Sequence, residues 1–248
     1  IIDKNMGHLK ESIFEMIMKI LDEQTALKTL VFSLLNVQYR MHEKLTFVSS
    51  KLFYENQVIS GPLNKSILLK DKAWASGKIL PNNVPLVWIN HIGNEAQISD
   101  KAVINNQEAQ IIKKLLVDLI FKMKVPSKHC GVIVSLKAQQ RNITESLENH
   151  AQLKKHMNIG ERGLAIATVD SFQGLEKEVI IYASVRSNLQ GNIGFLDDER
   201  RLNVAVTRAK RLFIFVGDHR CLRKRGKNTA FDEIYNHARN HGKVIDFC

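Results

Sequence analysis

Two short apolar runs dominate the hydropathy pattern, Val179-Ile180-Ile181-Tyr182-Ala183 and Leu212-Phe213-Ile214-Phe215-Val216. Both are rich in β-branched and aromatic residues and bounded by charge or glycine. Such runs read as strands buried on both faces of a parallel sheet. Similar signals predict strands over 29–37, 84–90, 131–136 and 164–169. Between them the apolar positions switch to helical period. Ile13, Phe14, Ile17, Ile20 and Leu21 form one stripe, and Leu45, Val48, Leu52 and Phe53 form another. Ala109, Ile112, Leu115, Leu116 and Leu119 form a third. Spacing predicts further helices over 138–150, 198–206 and 229–241. Strand and helix alternate along the chain, which implies a mostly parallel sheet with helices on both faces, a three-layer α/β fold.

The alternation is interrupted once. Residues 56–85 are polar and hold Pro62, Pro81 and Pro85, three of the four prolines. The stretch at about 56–83 reads as a loop inserted into one domain. Residues 91–100 also read as polar loop. No internal repeat and no low-complexity segment is present.

Composition narrows the partners. The chain has 248 residues, is 44% hydrophobic, and carries a formal net charge of +11. That balance favours an anionic partner, nucleic acid before an acidic membrane. No apolar run reaches the roughly 18 residues needed to span a bilayer, and no signal-peptide pattern opens the chain. Three widely separated cysteines, Cys130, Cys221 and Cys248, argue against a disulfide scaffold and fit a reducing, intracellular compartment, nucleus or cytoplasm. No Cys or His pair has zinc spacing, so no metal site is expected.

Three polar words sit beside the predicted strands: Val37-Gln38-Tyr39-Arg40-Met41-His42, Thr168-Val169-Asp170-Ser171-Phe172-Gln173-Gly174-Leu175-Glu176, and Asn203-Val204-Ala205-Val206-Thr207-Arg208-Ala209-Lys210. In this order they resemble the late motifs of superfamily 1 helicases. The closest likeness is to the SF1B branch that includes the nonsense-mediated-decay helicase and senataxin. The resemblance covers nearly the whole chain but only the second of the two RecA-like lobes of such enzymes. It implies a RecA-like sheet of P-loop NTPase type over 29–248. Residues 1–28 would be a lead-in helix joining a first lobe of the same polypeptide.

The resemblance also implies roles. Arg40 and Arg208 would reach the γ-phosphate of ATP as arginine fingers, and Tyr39 beside Gln38 would stack on the base. Glu176, with Gly174 before it, would contact the nucleotide. Leu175 departs from the Arg or Lys common at its position. Thr168, Asp170 and Ser171 would hold the backbone of single-stranded RNA or DNA. Gln139 matches the last residue of a Pro-Tyr-x-x-Gln word, although Ser135 and Leu136 do not match its start. Plain readings stand beside these. Arg208 could simply complement a helix C-terminus, Glu176 could be a solvated charge, and Thr168, Asp170 and Ser171 could cap a loop. Asn105 with Glu108 reads as helix initiation.

A phosphate cradle needs G-x-x-x-x-G-K-[ST]. Gly77-Lys78, Gly226-Lys227 and Gly242-Lys243 are followed by Ile79, Asn228 and Val244, so none qualifies. Asp22-Glu23 imitates an acidic Mg²⁺ box but follows a helical stripe rather than a strand, and reads as a helix end. The expectation is therefore half of an ATP site. ATP and Mg²⁺ would be bound mainly by the first lobe, and the isolated chain would be inactive. The alternative is a helicase-like module that binds nucleic acid or protein without catalysis.

Overall fold

The computed structural model describes residues 13–24, 26–27, 31–33, 35–99, 102–157, 163–223 and 229–247. They fall into two compact units, one up to Asn36 and one from Val37 onward. In the first unit, α1 (Ile13–Glu23) leaves Ile13, Phe14, Ile17 and Ile20 exposed. It ends at Glu23, so Asp22-Glu23 closes a helix.

The second unit is built on one six-stranded sheet, all parallel. Its strands in chain order are β3 (Leu86–His91), β6 (Cys130–Val134), β7 (Ala165–Thr168), β8 (Lys177–Ala183), β9 (Ala209–Gly217) and β10 (Lys243–Phe247). Across the sheet they run β10-β3-β9-β8-β6-β7. The long central strands are apolar throughout because both faces are covered. Leu212, Ile214 and Val216 of β9 enter one core with α3 (Asn106–Val117) and α4 (Lys137–Glu148). Phe213 and Phe215 enter the other with α2 (Glu43–Phe53), α5 (Arg200–Val206), α6 (His219–Arg223) and α7 (Ala230–His241). On that second face Trp88 stacks on Phe215 at 4.0 Å, and Phe231 meets the same ring edge-on. This is the three-layer α/β arrangement the alternation implies. Among the described residues no helix is long and apolar enough to cross a membrane.

Among the described residues of the predicted strand over 29–37, none is assigned to this sheet. Residues 29, 30 and 34 lie outside the described residues, and only β1 (Val37–Gln38) is extended. It pairs in parallel with β2 (Ile59–Ser60) in a separate ribbon. Residues 91–100 are not simply loop either. Strand β4 (Ala96–Ser99) pairs antiparallel with β5 (Ala102–Ile104). Strand β10 was hidden in the sequence because its edge position leaves it only half-buried, with Lys243 and Asp246 exposed.

The 56–83 stretch is irregular but packed. Leu69 and Leu80 are completely buried. The Asp118 carboxylate accepts the backbone N–H groups of Lys78, Ile79 and Leu80 at 2.8–2.9 Å. Arg211 donates to the Leu68 carbonyl at 2.8 Å. Backbone groups that lack a ladder are thus satisfied by side chains.

Candidate functional site

The site is assembled at the amino-terminal edge of the central strands. Glu176 directly precedes β8 and Arg208 directly precedes β9. The two strands are in register there, Lys177 opposite Ala209. The Lys177 N–H donates to the Arg208 carbonyl at 3.0 Å. The turn after β1 is tied to the same edge, since the His42 N–H donates to the Lys210 carbonyl at 3.0 Å.

Arg40 reaches across this junction. Its Nη1 donates to the Thr207 carbonyl at 3.0 Å and its Nε to Glu176 Oε2. Lys210 Nζ takes the other oxygen of Glu176 at 2.5 Å. The Glu176 carboxyl is held below the usual carboxylate range, first by the Lys210 hydrogen bond and then by Arg40, against an opposing effect of burial.

Arg208 closes helix α5. Its Nε donates to the Val204 carbonyl at 3.0 Å and its Nη2 to Thr207 Oγ1 at 3.1 Å. This is the helix-end role expected of a basic residue. A second feature goes beyond it. Burial, then the nearby positive charge of Arg40, lowers the proton affinity of Arg208. Two guanidiniums therefore share one edge, and the Glu176 carboxylate there is held by Arg40 and Lys210.

Gln38 behaves differently from the expectation that it touches a nucleotide. Its side chain turns inward. Nε2 donates to the Met41 carbonyl, Thr46 Oγ1 and Ser60 Oγ at 2.9, 2.6 and 2.7 Å. Oε1 accepts from the N–H groups of Arg40 and Met41 at 2.7 and 2.8 Å. It is the hub that shapes the turn. Tyr39 is the exposed member, 66% accessible, and lies over Gly61. A Cβ at Gly61 would stand 2.3 Å from Tyr39 Cε1, so only glycine leaves room for that ring. Gly174, at φ +87°, has nothing within 4 Å of where a Cβ would be. Its glycine serves the left-handed turn.

Thr168, Asp170 and Ser171 lie at the other, carboxyl-terminal end of the sheet. Thr168 ends β7, and its Oγ1 donates to Ser171 Oγ at 3.0 Å. Asp170 faces Arg201 at 3.7 Å. Arg201 is on the first turn of α5, whereas Thr207 and Arg208 follow its last turn, so one short helix spans from the Asp170 edge to the arginine edge.

Gln139 belongs to neither edge. It is completely buried. Nε2 donates to the Asn105 carbonyl and to Glu108 Oε1, and Oε1 accepts the Asn105 N–H and Asn142 Nδ2, all at 2.9–3.1 Å. Every polar capacity it has is spent inside, so it presents nothing to a strand of nucleic acid. Asn105 caps α3, accepting the Glu108 N–H at 2.9 Å. The same pair holds Val185 in a left-handed conformation, φ +69°: Glu108 Oε2 accepts its N–H at 2.8 Å and Asn105 Nδ2 donates to its carbonyl at 3.1 Å. A β-branched residue in that region is strained and persists only when its surroundings dictate it.

Sequence reasoning missed Gly61, Thr207 and Lys210 as members of the arginine edge. The last two stood inside a recognised word, but only their backbone and charge geometry shows the contribution. Gly61 carried no signal, because its need arises from a ring 22 residues away.

This edge and sheet define a RecA-like lobe with a doubled arginine rim. The family profile described as AAA domain matches residues 9–220, and the chain belongs to that family as a C-terminal RecA-like domain of superfamily 1B helicases. It is 34% identical over 237 residues to a regulator of nonsense transcripts 1 homolog of Neurospora crassa, covering 95% of this chain and 20% of that protein. It is 34% identical over 235 residues to the DNA polymerase alpha-associated DNA helicase A of Saccharomyces cerevisiae, covering 90% and 32%. The ATP-dependent helicase NAM7 of the same yeast is 31% identical over 241 residues, covering 96% and 23%. The chain thus spans about a fifth to a third of the length of these relatives. A crystal structure described as the C-terminal domain of a possible DNA helicase from Lactobacillus plantarum superposes with a TM-score of 0.47 at 10% identity, over 84% of this chain and 98% of that one. That likeness is too loose to carry an argument.

Proposed function

We propose that this chain works as the second RecA-like lobe of an ATP-dependent helicase acting on single-stranded RNA or DNA inside the cell. A first lobe of the same polypeptide would supply the phosphate cradle. Arg40 and Arg208 would meet the γ-phosphate, where paired positive charge stabilises the transferring phosphoryl group. Tyr39, exposed over Gly61, would stack on the base. Glu176 now holds both Arg40 and Lys210. When a triphosphate arrives, Arg40 would exchange that carboxylate for the γ-phosphate, and Lys210 would keep Glu176 in place.

The residues of this edge do not fit a Mg²⁺ ligand set, because the Glu176 carboxylate is already taken by two cations. The Mg²⁺ that neutralises the phosphates is assigned to the first lobe. Thr168, Asp170 and Ser171 would contact the nucleic-acid backbone at the opposite end of the sheet. Helix α5 would link the two edges, so that lobe closure on ATP alters the grip on the strand.

The single observation that carries this reading is the convergence of Arg40 and Arg208, 168 positions apart, on one strand edge. It is the arrangement that a shared triphosphate requires and that a simple binding module does not. The test is ATP hydrolysis by the two-lobed polypeptide with and without single strands, against Arg40→Ala and Arg208→Ala. Turnover that survives both substitutions would remove the two arginines from the ATP site, and absence of stimulated turnover in the unsubstituted polypeptide would leave the non-catalytic module as the better account.

A further inference from the structure

A cavity of about 510 Å³ lies between α2, β2 and α7, behind the turn that carries Tyr39 and Arg40. That volume is in the range of small-molecule sites, roughly 300–1,000 Å³. Its wall is aromatic. The Phe47 ring stacks on the His237 imidazole at 5.0 Å and 18°, and His241, one turn along α7, lies 4.8 Å from His237. Phe47 is 45% accessible, and Lys51 Nζ lies over its ring, 6.0 Å from the centre.

His237 is the informative member. It is only 5% accessible. Its hydrogen bond with the Lys44 backbone raises its proton affinity, so the imidazole is the donor in that bond. Burial and then His241 outweigh this and push its pKa down to about 4, so the ring is neutral. A neutral imidazole that donates through one nitrogen has an acceptor lone pair on the other. That atom, Nε2, is buried and has no partner among the described residues. An orphaned buried acceptor costs about 1–3 kcal/mol, so His237 is held in this wall by its stack with Phe47. Lys44 and Lys65 also line the cavity, with Glu43 facing Lys65 at 3.8 Å, so the ionised lining is net positive.

The floor connects to Arg40. Thr46 and Ser60 line the cavity, and both hydroxyls accept from Gln38 Nε2. An amide NH₂ has two hydrogens, yet three acceptors surround this one, the third being the Met41 carbonyl. Thr46 and Ser60 are also 2.7 Å from each other. The hydroxyls can therefore reverse direction, and a ligand that takes either one changes how Gln38 holds the Arg40 N–H.

We propose that this cavity is a ligand site for a planar heteroaromatic molecule carrying an anionic group, and that Gln38 transmits its occupancy to Arg40. The class is that of a nucleoside monophosphate. The site is separate from the Tyr39 face, and binding there does not depend on whether Arg40 meets a triphosphate.

The test is NMR of the 248-residue chain titrated with adenosine 5′-monophosphate. It follows the imidazole signals of His237 and His241 and the Nε–H signal of Arg40, the last identified by its loss in Arg40→Lys. The expected result is saturable shifts of all three with one Kd. Phe47→Ala, at an exposed position, and His237→Leu each weaken binding at least about tenfold, whereas Tyr39→Ala leaves it unchanged. In Gln38→Ala the histidine shifts persist and the Arg40 response disappears. Absence of saturation below about 10 mM overturns the site. So do shifts that survive Phe47→Ala and vanish in Tyr39→Ala, an outcome that instead places the nucleotide on the arginine edge and leaves the proposed function standing. Histidine shifts without any Arg40 response overturn the coupling.

Discussion

Arg40 donates to the backbone carbonyl of Thr207 at 3.0 Å, one residue before Arg208. The contact uses a backbone atom, so it survives any change of side chain at position 207. It places one arginine beside the other regardless of Glu176, and the like-charge effect on Arg208 follows from it. An edge carrying two guanidiniums, with its one carboxylate, Glu176, paired to Arg40 and Lys210, has an excess of positive charge suited to an anion.

That excess predicts the outcome of removing either arginine from the two-lobed enzyme. Arg40→Ala and Arg208→Ala should each lower ATP turnover by about 10³-fold or more, the scale of an arginine finger. Single-strand affinity without nucleotide should change less than about twofold, since the strand contacts are assigned to the other end of the sheet. Arg208→Lys should not restore turnover, because a lysine cannot both cap α5 and present a planar fork. Steady-state hydrolysis and fluorescence anisotropy of a labelled oligonucleotide read the two effects separately.

Glu176 predicts a pH signature. Its folded pKa lies below the ordinary value of 4.5, so the unfolded chain binds its proton more readily. Stability from this group is fully present above about pH 4.5 and is lost as pH falls through the lowered folded value. Wild type should therefore melt above Glu176→Gln at neutral pH, and the gap should close on acidification below pH 4.5. Thermal melts of both proteins across pH 3–8 check this. A gap that widens on acidification would show that the ion pairs do not hold the carboxyl charged.

Gly61 predicts a specific kinetic defect. Gly61→Ala puts a Cβ into the Tyr39 ring, and the flexible side chain is the part that yields. The expected outcome is a rise of about tenfold in KM for ATP, the size of one lost stacking contact. The thermal midpoint and the nucleic-acid affinity should hardly move. Initial rates across an ATP series, with melting curves on the same protein, distinguish this from misfolding.

Gln139 predicts the reverse pattern. Gln139→Ala strands the Glu108 carboxylate and both Asn105 backbone groups in the interior, at a cost of about 1–3 kcal/mol. The urea midpoint should drop, while the affinity of the folded protein for single strands stays as in wild type. A strong loss of affinity with no change in midpoint would return Gln139 to the nucleic-acid contacts.

Much of the sheet was legible because local pattern and tertiary role agree in its centre. The run 212–216 is apolar at every position, and both faces of β9 are covered by helices. At the margins that agreement ends. Strand β10 alternates with exposed charge because it has a neighbour on one side only. Strand β1 is two residues long because its partner is the short β2 rather than the main sheet. Of the site, the arginines, Tyr39 and Glu176 could be picked out by their words. The inward turn of Gln38 could not, because its acceptors Thr46 and Ser60 are 8 and 22 residues away.

What the chain carried in its order of residues was the alternation of strand and helix, the basic charge, the missing phosphate cradle and the words at the strand ends. Each is local, set by side-chain type and short-range period. What only the folded arrangement decided was who stands beside whom. Arg40 and Arg208 share an edge because the turn after β1 is hydrogen-bonded to Thr207 and Lys210, on either side of Arg208. Gln38 and Gln139, which read as surface contacts, became interior supports. A side chain's neighbours depend on strand order and register, and these are settled by packing across the whole core rather than by any stretch of sequence alone.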